Sequence, residues 1–106
     1  MAKYLIEASY TAEGLKGLQK DKASGRQAAV AKTFASVGGK VESMYYVLGD
    51  YDVLLIVDVP DNVAVASVAL KVCASGLVRT KTTPLLTIEE ADRALKGSVE
   101  YRAPGA

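Results

Sequence analysis

The chain has 106 residues, of which half are hydrophobic, and its 13 basic and 12 acidic side chains leave a formal charge of +1. That length fits one domain with one modest core, and the balanced, dispersed charge excludes the basic field that nucleic-acid binding needs. No apolar run approaches the roughly 18 residues of a membrane-spanning helix, and Lys3 and Glu7 break a signal-peptide pattern, so a cytoplasmic location is expected.

Residues 3 to 10 alternate as a first strand, Tyr4, Ile6 and Ala8 on one face and Lys3, Leu5, Glu7 and Ser9 on the other. Thr11 offers an N-cap. Gly14 and Gly17 weaken the segment after it, so Ala12 to Gln19 reads as a short helical turn rather than a stable helix. The first full helix is expected to start at Ser24-Gly25-Arg26-Gln27, which has capping-box spacing, and to stop at Gly38-Gly39. Val41 to Leu48 is a second strand, with Val41, Ser43, Tyr45 and Val47 opposite Glu42, Met44, Tyr46 and Leu48. Gly49 and Asp50 then supply a very short turn, Gly49 at positive φ, into the most apolar run of the chain, Val53 to Val59.

Asp61 and Asn62 come next as an N-cap region for a helix with Val65, Ala69, Leu70, Val72 and Cys73 on its apolar face, closed by Gly76. Val78 to Leu86 is a fourth strand, and Pro84 suits it to an edge position or to a strand end. Thr87-Ile88-Glu89-Glu90 has the spacing of another capping box, opening a short helix to Gly97, and Ser98 to Ala106 reads as a surface arm. The order strand, helix, strand, strand, helix, strand matches a ferredoxin-like α+β domain, βαββαβ with an antiparallel sheet, spanning residues 1–106. Helices should cover the face bearing Tyr4, Ile6, Val41, Tyr45, Val47, Tyr51, Val53, Leu55, Val57 and Val59. The opposite face would carry Leu5, Met44, Leu48, Leu54 and Ile56 among Glu7, Glu42, Asp52, Asp58, Arg79 and Lys81. Such an apolar patch rimmed by charge marks an interface or a ligand groove, and a second copy of the chain is its expected partner.

The segments Tyr10-Thr11-Ala12-Glu13-Gly14, Gly38-Gly39-Lys40, Gly49-Asp50-Tyr51-Asp52, Asp58-Val59-Pro60-Asp61, Ser75-Gly76 and Lys81-Thr82-Thr83-Pro84-Leu85-Leu86 together resemble the GYD-domain family. These are small stand-alone proteins grouped with the dimeric α+β barrels. The resemblance spans nearly the whole chain, although Asp50 interrupts the three-residue motif between Gly49 and Tyr51. The same pattern is similar to the effector-binding module of leucine-responsive transcription regulators, without a helix-turn-helix in front of it. The resemblance implies a ferredoxin-like subunit and a dimeric barrel type of assembly.

Candidate site residues are assigned from side-chain chemistry. Tyr10, Tyr45 and Tyr51 give apolar area with a hydroxyl, Arg26 can reach an anion near a helix start, and Thr82 belongs to a Thr-rich strand with Arg79 and Lys81. Those charges serve equally for pairing with Glu7 and Asp58 across the sheet. Gly49, Asp50, Asp52, Leu54 and Ile56 are candidates for a turn or an interface. The chain has no histidine, which removes His-based triads, imidazole bases and His metal or haem ligands. Its carboxylates lack metal-loop spacing, and no metal or cofactor is expected. Cys73 is alone and reads as a small buried hydrophobe. The expected function is a homo-oligomeric ligand-binding or sensory module, with no nucleic-acid or membrane partner. The alternatives are a cofactor-independent enzyme of the monooxygenase-like kind that occurs on dimeric α+β barrels, with Tyr or Asp in place of His, and a structural module without ligand.

Overall fold

In the computed structural model, which describes residues 1–106, the elements run β1 (Ala2–Tyr10), α1 (Ala12–Ala35), β2 (Lys40–Tyr46), β3 (Val53–Val59), α2 (Asn62–Ala74), β4 (Val78–Leu85) and α3 (Ile88–Leu95). The strands form one antiparallel sheet in the order β2-β3-β1-β4, the α+β ferredoxin-like arrangement expected from the element order. β1 and β3, the strands whose burial alternates most regularly, take the two central places, where both edges of a strand are paired. Register sets Tyr4, Ile6 and Ala8 of β1 against Val57, Leu55 and Val53 of β3. These six, with Val59, Phe34 of α1, and Val65 and Val68 of α2, are the buried core. Pro84 sits in β4 at the sheet edge, where its missing N–H costs least.

Local signals set the helix starts. The Thr11 and Asp61 side chains accept from the amides of Gly14 at 3.1 Å and Ala64 at 2.9 Å. Thr87 and Glu90 make a reciprocal capping box, Glu90 accepting from the Thr87 amide at 2.9 Å and Thr87 from the Glu90 amide at 3.1 Å. On α2 it is Val68 that is buried beside Val65, while Leu70, expected on the apolar face, is 73% exposed.

Three further expectations are corrected. The chain from Ala12 is helical at once, and Ser24 lies inside α1 instead of capping it. Gly14 is the reason. A Cβ there would stand 2.3 Å from the Leu77 carbonyl oxygen, so the helix start can press against the turn before β4 only because residue 14 has no side chain. The Leu77 carbonyl in turn accepts from the Thr11 amide at 2.9 Å. The helix is interrupted instead at Lys22, whose φ of 66° and ψ of 165° are non-helical.

The second correction is the facing of β2. A register shift between Val41 and Ser43 pairs Val41 with Val57 but Met44 with Leu55, Tyr45 with Leu54 and Tyr46 with Val53. A bulge of one residue exchanges the faces of everything beyond it. Met44 and Tyr46 therefore lie on the helix-covered side, and Tyr45 on the open side at 65% exposed. The third is the turn, which runs from Val47 to Asp52 and is longer than a tight hairpin loop. Gly49 does take positive φ, +133°, and Leu48 is fully exposed in the turn instead of on the sheet.

Candidate functional site

Helices α1 and α2 lie side by side over the sheet, and between them the core is not closed. Short side chains, Ala8 of β1, Thr80 and Thr82 of β4 and Ala69 of α2, leave an apolar cavity of about 80 Å³ against Ile6, Phe34, Met44 and Leu55. Interiors are normally packed without such voids, so a cavity of this size is a feature of the fold. Tyr10, Val78 and Val72 carry its wall outward, with Arg26, Val30 and Thr33 on the α1 side. There it joins a shallower recess of about 330 Å³, also edged by Gly14, Gly17, Asp21 and Lys71.

Arg26 is the one charged residue on the inner wall. The interruption at Lys22 lies between Arg26 and the Asp21 carboxylate, which approaches the guanidinium to only 3.9 Å. That is too long for a hydrogen bond. On the opposite wall the Tyr10 hydroxyl stands 3.3 Å from the Tyr46 hydroxyl. Burial, and then the hydrogen bond with Tyr10, push the Tyr46 phenol well above its ordinary value, against a smaller opposing effect of the Arg26 charge. Cys73 is half-buried behind the cavity, its Sγ 3.5 Å from Thr80 Oγ1.

The structure brings together Tyr10, Arg26 and Thr82 on this cavity. Tyr45 does not join them, because the β2 bulge turns it to the open face, and Tyr51 lies half-buried in the β2–β3 turn. The cavity residues that sequence reasoning missed are Met44, whose inward facing depends on that bulge, and Ala8 and Ala69, which matter by being small.

Asp52 is engaged within the chain: its carboxylate accepts from the Tyr10 amide at 2.8 Å, and its amide donates to the Ala8 carbonyl at 2.9 Å. The Asp50 carbonyl accepts from the Ser9 hydroxyl at 3.1 Å. The Gly49 turn is therefore tied to the end of β1. On the open face Asp58 pairs with Lys3 at 2.9 Å instead of with Arg79 or Lys81, and Glu42 joins them at 3.0 Å. The hydrogen bonds that Lys3 donates to Asp58, and then to Glu42, raise the Lys3 pKa above its ordinary value. Lys81 stands directly opposite Glu7 in the β1–β4 register, and Leu5, Leu54 and Ile56 fill the middle of this face.

No helix is long and apolar enough to cross a membrane. A comparison with curated proteins finds no match. The GYD domain profile, in contrast, matches residues 4–95, from the early part of β1 to the end of α3, and so takes in the sheet, all three helices and every wall of the cavity. The chain belongs to the GYD-domain family.

Proposed function

We propose that this protein is a small, cytoplasmic, homo-oligomeric ligand-binding or sensory module that holds a small molecule between its sheet and helices α1 and α2. The observation that carries the reading is the apolar cavity with few polar groups on its wall, Arg26, Tyr10 and the threonines of β4 among them. An apolar chamber with convergent polar anchors is the usual form of a small-molecule site. Self-association is supported separately. Only 11 of 106 residues are buried, and Leu5, Leu54, Ile56 and Tyr45 lie on a sheet face over which this chain places no helix.

A thermal-shift screen of metabolites tests the reading, because a ligand that binds only the folded chain raises its apparent stability. A stabilising compound recovered unchanged after long incubation is the expected result. Conversion of that compound would favour catalysis instead. A screen without stabilising compounds, together with a solvent-filled cavity unaffected by added small molecules, would leave a structural module.

A further inference from the structure

The cavity also carries information about what it takes. We infer that its ligand is a small monocarboxylate with a compact apolar body, short aliphatic or aryl, whose carboxylate is held by Arg26 at the mouth. This rests on the ligand-binding reading above and adds the chemical class. Size comes first. A water-sized group needs about 10–15 Å³ on this measure, so a cavity of about 80 Å³ admits a body of some five to eight such groups.

Wall chemistry comes second. Twelve of the 16 lining residues are hydrophobic, three are threonines, and the remaining one is Arg26. A cationic or multiply charged guest would have no partner inside. Arg26 has donors to spare: its guanidinium makes no hydrogen bond within the chain, and its one ionic neighbour, Asp21, stays at 3.9 Å. Five N–H groups in a planar fork match a carboxylate through two parallel bonds. The charged groups around the outer recess are Arg26, Lys71 and Asp21, that is +2 − 1 = +1, which suits a single negative charge. Tyr10, on the wall opposite Arg26 and hydrogen-bonded to Tyr46, adds a hydroxyl to the lining.

Three isosteric probes test this by amide NMR titration of the unmodified protein: 4-methylpentanoate, 4-methylpentan-1-ol and 4-methylpentylamine. The expected result is that the acid shifts the amides of Ala8, Val30, Val72 and Thr80, with an affinity roughly tenfold above that of the alcohol, while the amine leaves them unmoved. Arg26→Gln should make acid and alcohol equal. Asp21→Asn, which removes the competing carboxylate on an exposed helix surface, should tighten the acid alone. An alcohol that binds as well as the acid, or an amine that binds better, overturns the carboxylate assignment and leaves the cavity reading standing. If none of the three probes moves the wall amides, both fall. Should Arg26→Gln not fold, the comparison of the three probes on the unmodified protein decides by itself.

Discussion

At the residue scale, single atoms decide where the helix and the cavity mouth can be. Gly14 and Gly17 look alike in sequence, yet a Cβ at Gly14 would collide with the Leu77 carbonyl at 2.3 Å and one at Gly17 would meet nothing within 4 Å. Gly14→Ala should therefore cost about 2 kcal/mol, because backbone must move to admit the methyl group. Gly17→Ala should stabilise by about 0.5–1 kcal/mol through helix propensity. Thermal unfolding of the two variants should give shifts of opposite sign, and shifts of the same sign would remove the close-approach argument. Tyr46 gives a second test. Its folded-state pKa lies above the ordinary 10.0, so the neutral phenol is favoured by folding, and the contribution present below that pH is lost as pH rises through the folded value. Ultraviolet titration should show one tyrosine ionising later than the others, and Tyr10→Phe should bring it partly back by removing the hydrogen bond while burial remains. A uniform titration in the unmodified protein would contradict this.

At the scale of elements, what was legible in the sequence is what local chemistry determines. The N-caps Thr11, Asp61 and Thr87 act on the residues beside them, and Pro84 marks the edge strand through its own missing donor. The facing of β2 was not legible, because a bulge is a property of the pairing with β3 and the alternation of Val41 to Leu48 runs on undisturbed through it. Among the candidate site residues, Tyr10 and Thr82 stand on strands whose facing the sequence does determine, Arg26 was expected beside a helix start and lies inside α1, and Tyr45 lies beyond the bulge.

The continuity of α1 was misjudged for a related reason: propensity counts Gly14 as a defect, whereas packing against Leu77 requires it. The interruption at Lys22 leads to a test, since φ of 66° with ψ of 165° is a conformation in which glycine alone is unstrained. Lys22→Gly should stabilise by about 1 kcal/mol in chemical denaturation. A destabilised variant would show that the lysine side chain holds the bend. For α3 the test is pH. The Thr87 backbone and side-chain hydrogen bonds hold the Glu90 pKa below its ordinary 4.5. The cap is therefore fully formed above that value and is lost as pH falls through the folded one. Helical chemical shifts of α3 should fade in acid below pH 4.5, where those of α1, capped by the Thr11 hydroxyl, persist, and Glu90→Ala should weaken α3 at every pH.

At the scale of the molecule, the chain has more apolar surface than its own body covers. Its radius of gyration of 16.9 Å exceeds the roughly 13 Å of a compact chain of this length. In the C-terminal part α3 buries none of its residues, and Leu86, Ile88, Leu95, Val99 and Tyr101 are all more than half exposed. The open sheet face adds Leu5, Leu54 and Ile56, ringed by the Lys3, Glu42 and Asp58 ion pairs and by Glu7 and Lys81. Two such faces brought together would bury their apolar centres and leave the charges at a wet rim, where they set register more than affinity. Ile56→Lys places an ammonium at the middle of that face without touching the core, because Ile56 lies on the opposite side of β3 from Leu55 and Val57. Light scattering of the unmodified protein at micromolar concentration should give at least twice the mass of the 11.2 kDa chain, and the variant should give the chain mass alone. The melting temperature of the unmodified protein should rise with its concentration, and that of the variant should not, since association stabilises by mass action. A monomer with a concentration-independent melting temperature would mean that the sheet face is open to solvent and that the assembly half of the proposal is wrong.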